Sequence, residues 1–160
     1  MAMHTWFECK IRYEKTMENG MQKKVTEPYL VDALSFTEAE ARIIEEMTPF
    51  ITGEFTVSDI KRANYSELFP SDEESADRWF KCKLIFITLD EKSGAEKKTS
   101  TQVLVQAADL RDAVKKLDEG MKGTMADYQI GMVSETPLMD VYPYSAGPND
   151  KPEFPDADKR

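Results

Sequence analysis

The residue types that most readily do chemistry are scarce in this chain and scattered. The one histidine, His4, stands ahead of the first predicted strand. A general base needs a second group to orient or activate it. No such partner is signalled, so His4 reads as an exposed terminal residue. Cys9 and Cys82 alternate inward with Phe7 and Phe80. A nucleophilic thiolate requires an electropositive, partly exposed setting; flanked by core residues, these thiols are expected to act as small core hydrophobes. No Cys-x-x-Cys and no Cys/His spacing suits zinc. Asp72, Glu73, Glu74 and Asp77 lack the alternation and central glycine of a calcium loop and read as a solvated linker. The run Gly120-Met121-Lys122-Gly123 follows a helix instead of opening one, the wrong place for a phosphate cradle. No Gly-x-Ser-x-Gly elbow is present. These residues point away from catalysis, and to no cofactor and no metal.

One paired feature remains. Lys10, Lys23 and Lys24 recur as Lys83, Lys97 and Lys98 around two similar hairpins. Lys10, Lys24, Lys83 and Lys98 either provide two equivalent anion contacts or, as lysines at such positions usually do, blunt strand edges and keep the hairpins soluble.

The elements that must position these residues follow from periodicity. Trp6–Tyr13 alternates as a half-buried strand. Glu14–Gln22, with Asn19-Gly20 inside it, is a hairpin loop leading to a second strand over Val25–Ala33. Ser35 and Glu38 have capping-box spacing, and Phe36, Ala39, Ile43 and Met47 then make the buried stripe of a helix. Pro49 and Gly53 end it, and a third strand over Glu54–Lys61 and an extended piece around Tyr65–Phe69 complete the unit.

After an acidic stretch without periodicity the plan restarts. WFKCK at Trp79–Lys83 matches WFECK at Trp6–Lys10, and these segments hold every tryptophan and cysteine in the chain. Leu30 and Leu104, Val31 and Val105, Ala39 and Ala113, and Met47 and Met121 then fall in register. Asp109 and Asp112 take the capping positions of Ser35 and Glu38. Leu110, Ala113, Val114, Leu117 and Met121 form the second stripe, which Gly120 and Gly123 help terminate. Tyr128–Val133 is the matching third strand, and Pro137–Tyr142 the matching extended end. The expected architecture is α+β: two tandem ββαβ repeats, each an antiparallel-type sheet backed by one helix, related by a pseudo-two-fold. Strand three should pair with strand one on the side away from strand two. The expected boundaries are repeat one at 4–70, a linker at 71–78, repeat two at 79–144 and a flexible tail at 145–160.

A three-stranded sheet and one helix in about 70 residues is marginal alone. The sheet face opposite each helix carries Trp6 and Leu30 in one copy and Trp79, Ile85 and Leu104 in the other. A solvated face does not normally hold a tryptophan in both copies. These residues either cover the contact between repeats or form a homo-oligomer or protein-partner surface, where exposed Trp is a common anchor.

Composition sets the outer limits. The 160 residues carry 30 Asp+Glu against 21 Lys+Arg, a formal charge of -9, which disfavours nucleic acid as a partner. No apolar run suggests a signal peptide or a membrane span, so a cytoplasmic protein with reduced cysteines is expected.

The segments WFECKIRYEK, VTEPYLVDALSFTEAEARIIEEM, GEFTVSDIKRANYSELF and TPLMDVYPY resemble an uncharacterised bacterial family, a conserved domain of unknown function associated with gut anaerobes. The resemblance covers about residues 4–144. It implies an ordinary cytosolic bacterial protein and brings no activity, cofactor or site residue. The expected function is therefore a non-enzymatic binding or assembly module using the Trp-bearing sheet faces. The alternative is a small-ligand protein or enzyme with a site between the repeats, using Lys10, Lys83, Arg12, Asp59 and Arg62.

Overall fold

The computed structural model describes residues 5–143; His4 and the segment 145–160 lie outside the described residues. The chain forms β1 (Trp6–Thr16), β2 (Gln22–Asp32), α1 (Phe36–Met47), β3 (Phe55–Ala63), β4 (Glu67–Phe69), β5 (Arg78–Leu89), β6 (Glu96–Ala107), α2 (Leu110–Gly120), β7 (Asp127–Glu135) and β8 (Asp140–Tyr142). The order strand, strand, helix, strand, strand thus occurs twice.

Local chemistry starts and stops these elements. β1 and β2 pair in one unbroken antiparallel register from Trp6↔Asp32 to Thr16↔Gln22. Their turn closes through Gly20 at φ +83°, a left-handed position that a side chain would strain. Ser35 Oγ accepts from the Glu38 N–H at 3.1 Å, and the Glu38 carboxylate accepts from the Leu34 N–H. At α2, Asp109 Oδ1 accepts from the Asp112 N–H at 2.8 Å, and the Asp112 carboxylate from the Ala108 N–H at 2.9 Å. Each cap satisfies orphan donors and is worth about 1 kcal/mol.

Two four-stranded sheets result, in the orders β3-β1-β2-β8 and β4-β6-β5-β7. Each is one strand wider than the sheet the sequence pattern predicts. The extra strand comes from the other half of the chain. β8 runs parallel to β2, with Tyr29↔Asp140, Leu30↔Val141 and Val31↔Tyr142. β4 runs parallel to β6, with Glu67↔Val103, Leu68↔Leu104 and Phe69↔Val105. The two extended pieces are therefore strands, exchanged between the sheets.

Three cores follow from the alternation of side chains along the strands. Phe7, Cys9, Ile11, Val31 and Ala33 pack with Ala39, Ile43 and Met47 of α1. Phe80, Cys82, Leu84, Val103, Val105 and Ala107 pack with Ala113, Leu117 and Met121 around α2. The opposite, inner faces supply the third core: Trp6, Leu30, Trp79 and Leu104, joined by Leu138 and Val141. Two residues expected in the helix stripes are half exposed, Phe36 at 50% and Leu110 at 52%. Both sit in a first helical turn; Phe36 still meets Phe7 edge-on at 4.9 Å.

The acidic stretch 71–78 joins β4 to β5 with Asp72, Glu73, Glu74 and Asp77 exposed, and it is held at a few points. Ala76 is buried, Arg78 already belongs to β5, and Lys116 on α2 holds both Ser71 Oγ at 3.1 Å and Glu73 Oε1 at 2.9 Å.

Candidate functional site

The inner faces hold most of the residues whose types suggested an interaction. Trp6, Leu30, Trp79 and Leu104 are at most 5% exposed and touch one common cluster, filled from the sides by Ala63, Tyr65 and Leu68. No partner can reach them without separating the sheets. Ile85 stands apart from that cluster. It lies farther along the same face of β5, half-buried, leaning over Gly131, where an added Cβ would come within 2.9 Å of its Cδ1.

The exchanged strands are latched at matching places. In the first half, Arg42 on α1 donates to the Asp32 carbonyl and, at 3.0 Å, to the Pro143 carbonyl just after β8. In the second, Lys116 on α2 pairs with Glu73 just after β4 and with Asp112 at 3.0 Å, while Gln106 Oε1 accepts from the Ser71 N–H at 2.9 Å. Burial works to lower the Lys116 pKa, but its hydrogen bonds to Glu73 and Asp112 outweigh that and raise it. Sequence reasoning singled out neither Arg42 nor Lys116. The available signal was a basic residue at one position in both helices.

The lysines do not converge. Lys10 on β1 stands opposite Pro28 and Asp59, whereas Lys24 stands opposite Glu14. Four residues of strand separate those rows, about 13 Å at roughly 3.3 Å per residue. Lys83 opposite Gln102 and Lys98 opposite Ile87 are spaced the same way. Neither pair meets at a single anion.

The residues expected to line a site between the halves also disperse. A groove of about 300 Å³ runs beside Trp6, Asn64, Tyr65 and Thr101, and of the expected set only Arg62 borders it. The Arg62 guanidinium lies 5.7 Å from the Phe7 ring centroid. Arg12 instead lines a larger groove of about 680 Å³ toward the turn end of the first hairpin, with Tyr13, Glu14, Lys24, Glu54 and Thr56. Asp59 faces Lys10 on the edge strand.

The thiols are held neutral. Burial, with smaller contributions from Glu8 and Asp59, pushes Cys9 up to about 12, and burial pushes Cys82 up to about 11. Such groups are weak nucleophiles at neutral pH. Among the described residues no group of three or more His, Cys, Asp or Glu is gathered as for a metal ion, and no described helix is long and apolar enough to cross a membrane.

A polar cluster that sequence reasoning missed lies on the α1 side of the first sheet. The Glu27 carboxylate accepts from Tyr13 Oη at 2.9 Å and from Tyr29 Oη at 3.4 Å, and pairs with Lys15 at 3.8 Å. Tyr29 stacks on Tyr142 of the exchanged β8, with ring centroids 6.2 Å apart. Burial and then the Glu27 charge raise the Tyr29 hydroxyl pKa; burial, then Asp140 and Glu46, push Tyr142 up to about 12. These phenols stay protonated as donors, so the cluster ties β1, β2 and β8 together.

No curated protein and no solved structure matches this chain. The family model described as domain of unknown function (DUF4494) matches residues 5–144, nearly everything from β1 to just past β8, and the chain belongs to that family.

Proposed function

We propose that the protein is a non-enzymatic binding module, built from two copies of a ββαβ unit related by an approximate two-fold, that contacts another protein through one end of its second sheet. In this reading Trp6, Leu30, Trp79 and Leu104 do internal assembly work, holding the copies together, and the outward contact falls to the open end of the same face around Ile85. The copies run 4–70 and 79–144, joined through 71–78, and the buried, neutral thiols suit a cytoplasmic setting.

The observation that carries the reading is a contrast between the two central strands. Phe80, Cys82, Leu84 and Phe86 pack toward α2, so Ile85, Ile87 and Leu89 point to the opposite face. At the corresponding places β1 has Arg12, Glu14 and Thr16, as a solvated face should. Leu89 is 68% exposed, and Met132, beside Lys83 on β7, is 40% exposed. An aliphatic strip at one hairpin, where its counterpart is polar, is the mark of a contact surface.

A photo-crosslinking residue in place of Ile87 tests this in cells that make the protein. The expected result is an adduct of defined mass that reforms from purified components and disappears with Ile85→Lys. Absence of any defined adduct would sink the reading.

A further inference from the structure

We infer that the groove toward the turn end of the first hairpin is a binding site for a short peptide with free ends, separate from the contact surface on the second sheet. The groove opens because one ladder stops early. β1 and β3 pair as far as Tyr13↔Phe55, whereas β5 and β7 go one pair further, past Phe86↔Tyr128 to Ile87↔Asp127. The next pair in the first sheet would set Glu14 directly against Glu54, and like charges so placed repel each other. At the matching place in the second sheet an isoleucine meets an aspartate, without that conflict. The segment 52–54, with Gly53 at φ +95°, instead borders a groove of about 680 Å³. Small-ligand sites commonly measure about 300–1,000 Å³.

The charges along the groove define its ligand. Glu14 and Glu54 line it toward the turn, Arg12 stands two residues back along β1, and Lys24 is opposite Glu14 on β2. All four side chains are exposed, and none forms an ion pair among the described residues. A simple anion would be drawn to Arg12 and Lys24 but repelled by the two carboxylates, and a simple cation the reverse. A ligand that gains from both pairs carries both charges. Spacing then sets its length. Arg12 and Glu14 are two strand residues apart, about 7 Å. The ends of an extended dipeptide are separated by about that distance, and those of a free amino acid by about half of it. An ammonium terminus at Glu14 and Glu54 and a carboxylate terminus on the Arg12 fork thus suit one dipeptide, with charge-assisted hydrogen bonds at both ends. Thr16, Gln22 and Thr56 also line the groove and offer donors and acceptors for the amide between those ends.

An amide NMR titration of the full chain with alanyl-alanine tests the inference. Saturable shifts are expected at Glu14, Gly53 and Thr56. Acetylating the N-terminus of the probe, or amidating its C-terminus, should each weaken binding roughly tenfold, as expected for one lost hydrogen-bonded charge. Glu54→Gln should weaken binding of the free dipeptide by a similar factor, at an unchanged melting temperature, and leave binding of the acetylated probe as it was. Arg12→Gln should stand in the same relation to the amidated probe. Ile87→Lys, on the other sheet, should bind the dipeptide like the unaltered chain. The inference is overturned by the absence of saturable shifts, by free alanine binding as well as the dipeptide, or by blocked probes binding as well as the free one. None of these outcomes touches the crosslinking test at Ile87, so the two readings stand or fall separately.

Discussion

At the scale of single residues, Cys9 and Cys82 illustrate how a rare residue acquires a structural job. Their sulfurs point into the two helix–sheet cores, and burial lifts both pKa values above the ordinary 9.0, to about 12 and about 11. A folded-state pKa above the unfolded one contributes stability that is intact below pH 9 and lost as pH climbs through the folded values. The melting temperature should therefore fall between pH 8 and pH 10.5, and less so in Cys9→Ala/Cys82→Ala relative to its own value at pH 8. Native protein should resist iodoacetamide at pH 8 and consume two equivalents once unfolded in urea; rapid labelling of the native state would contradict the burial. The inward direction of these thiols was legible from alternation alone, since Phe7-Glu8-Cys9 and Phe80-Lys81-Cys82 leave little choice of face. Glu27 was not legible. Its value depends on two tyrosines and a lysine brought to it by strand register and on Tyr142 from the far end of the chain.

At the scale of elements, helix starts were legible because capping is a local matter: Ser35 with Glu38, and Asp109 with Asp112, bond as their spacing suggests. The two short strands were not assignable to a sheet, because three residues carry no pattern that names a partner across space. Gly120 shows the same limit. From sequence it reads as part of a helix terminator, and Gly123 at φ +88° does take the left-handed conformation of a helix end. Gly120 itself is helical, and an added Cβ would come within 2.9 Å of the Phe69 ring on exchanged β4. Ordinary propensity says that Gly→Ala inside a helix stabilises by about 1 kcal/mol. Here the clash is with an aromatic ring wedged between helix and sheet, so overpacking decides the sign. Gly120→Ala should destabilise by about 1–3 kcal/mol, measured by urea denaturation. A stabilised variant would mean that Phe69 does not pack there.

At the scale of the whole molecule, the exchange of β4 and β8 makes each sheet depend on the other half of the chain. Leu138 and Val141 arrive from the C-terminal half but bury themselves in the inner core against Leu30, which belongs to the first sheet. Leu138→Ala should cost about 2–5 kcal/mol, the usual range for a buried leucine. Its signature is that amide-exchange protection should drop in β2 as well as near the substitution, with one unfolding transition throughout. Two separable transitions would show that the halves fold independently. The tryptophan-bearing faces were legible as faces needing cover, since small ββαβ units are marginal alone. What covers them was undecidable from one chain's pattern, because an internal contact and an external one ask for the same residues.

The interlock also has a consequence for the order of synthesis. On the ribosome, β1, β2, α1 and β3 emerge ahead of the other elements, yet the strand that completes their sheet is β8, which follows all of them. Until then β2 keeps an unpaired edge and Trp6 and Leu30 lack most of their cover. β4, by contrast, waits only for β5 and β6. The second sheet needs β4 to be held only until β5, β6 and β7 follow, while the first stays open until β8 emerges. The nascent first sheet should therefore need shielding for longer than the second, and its compaction should await β8.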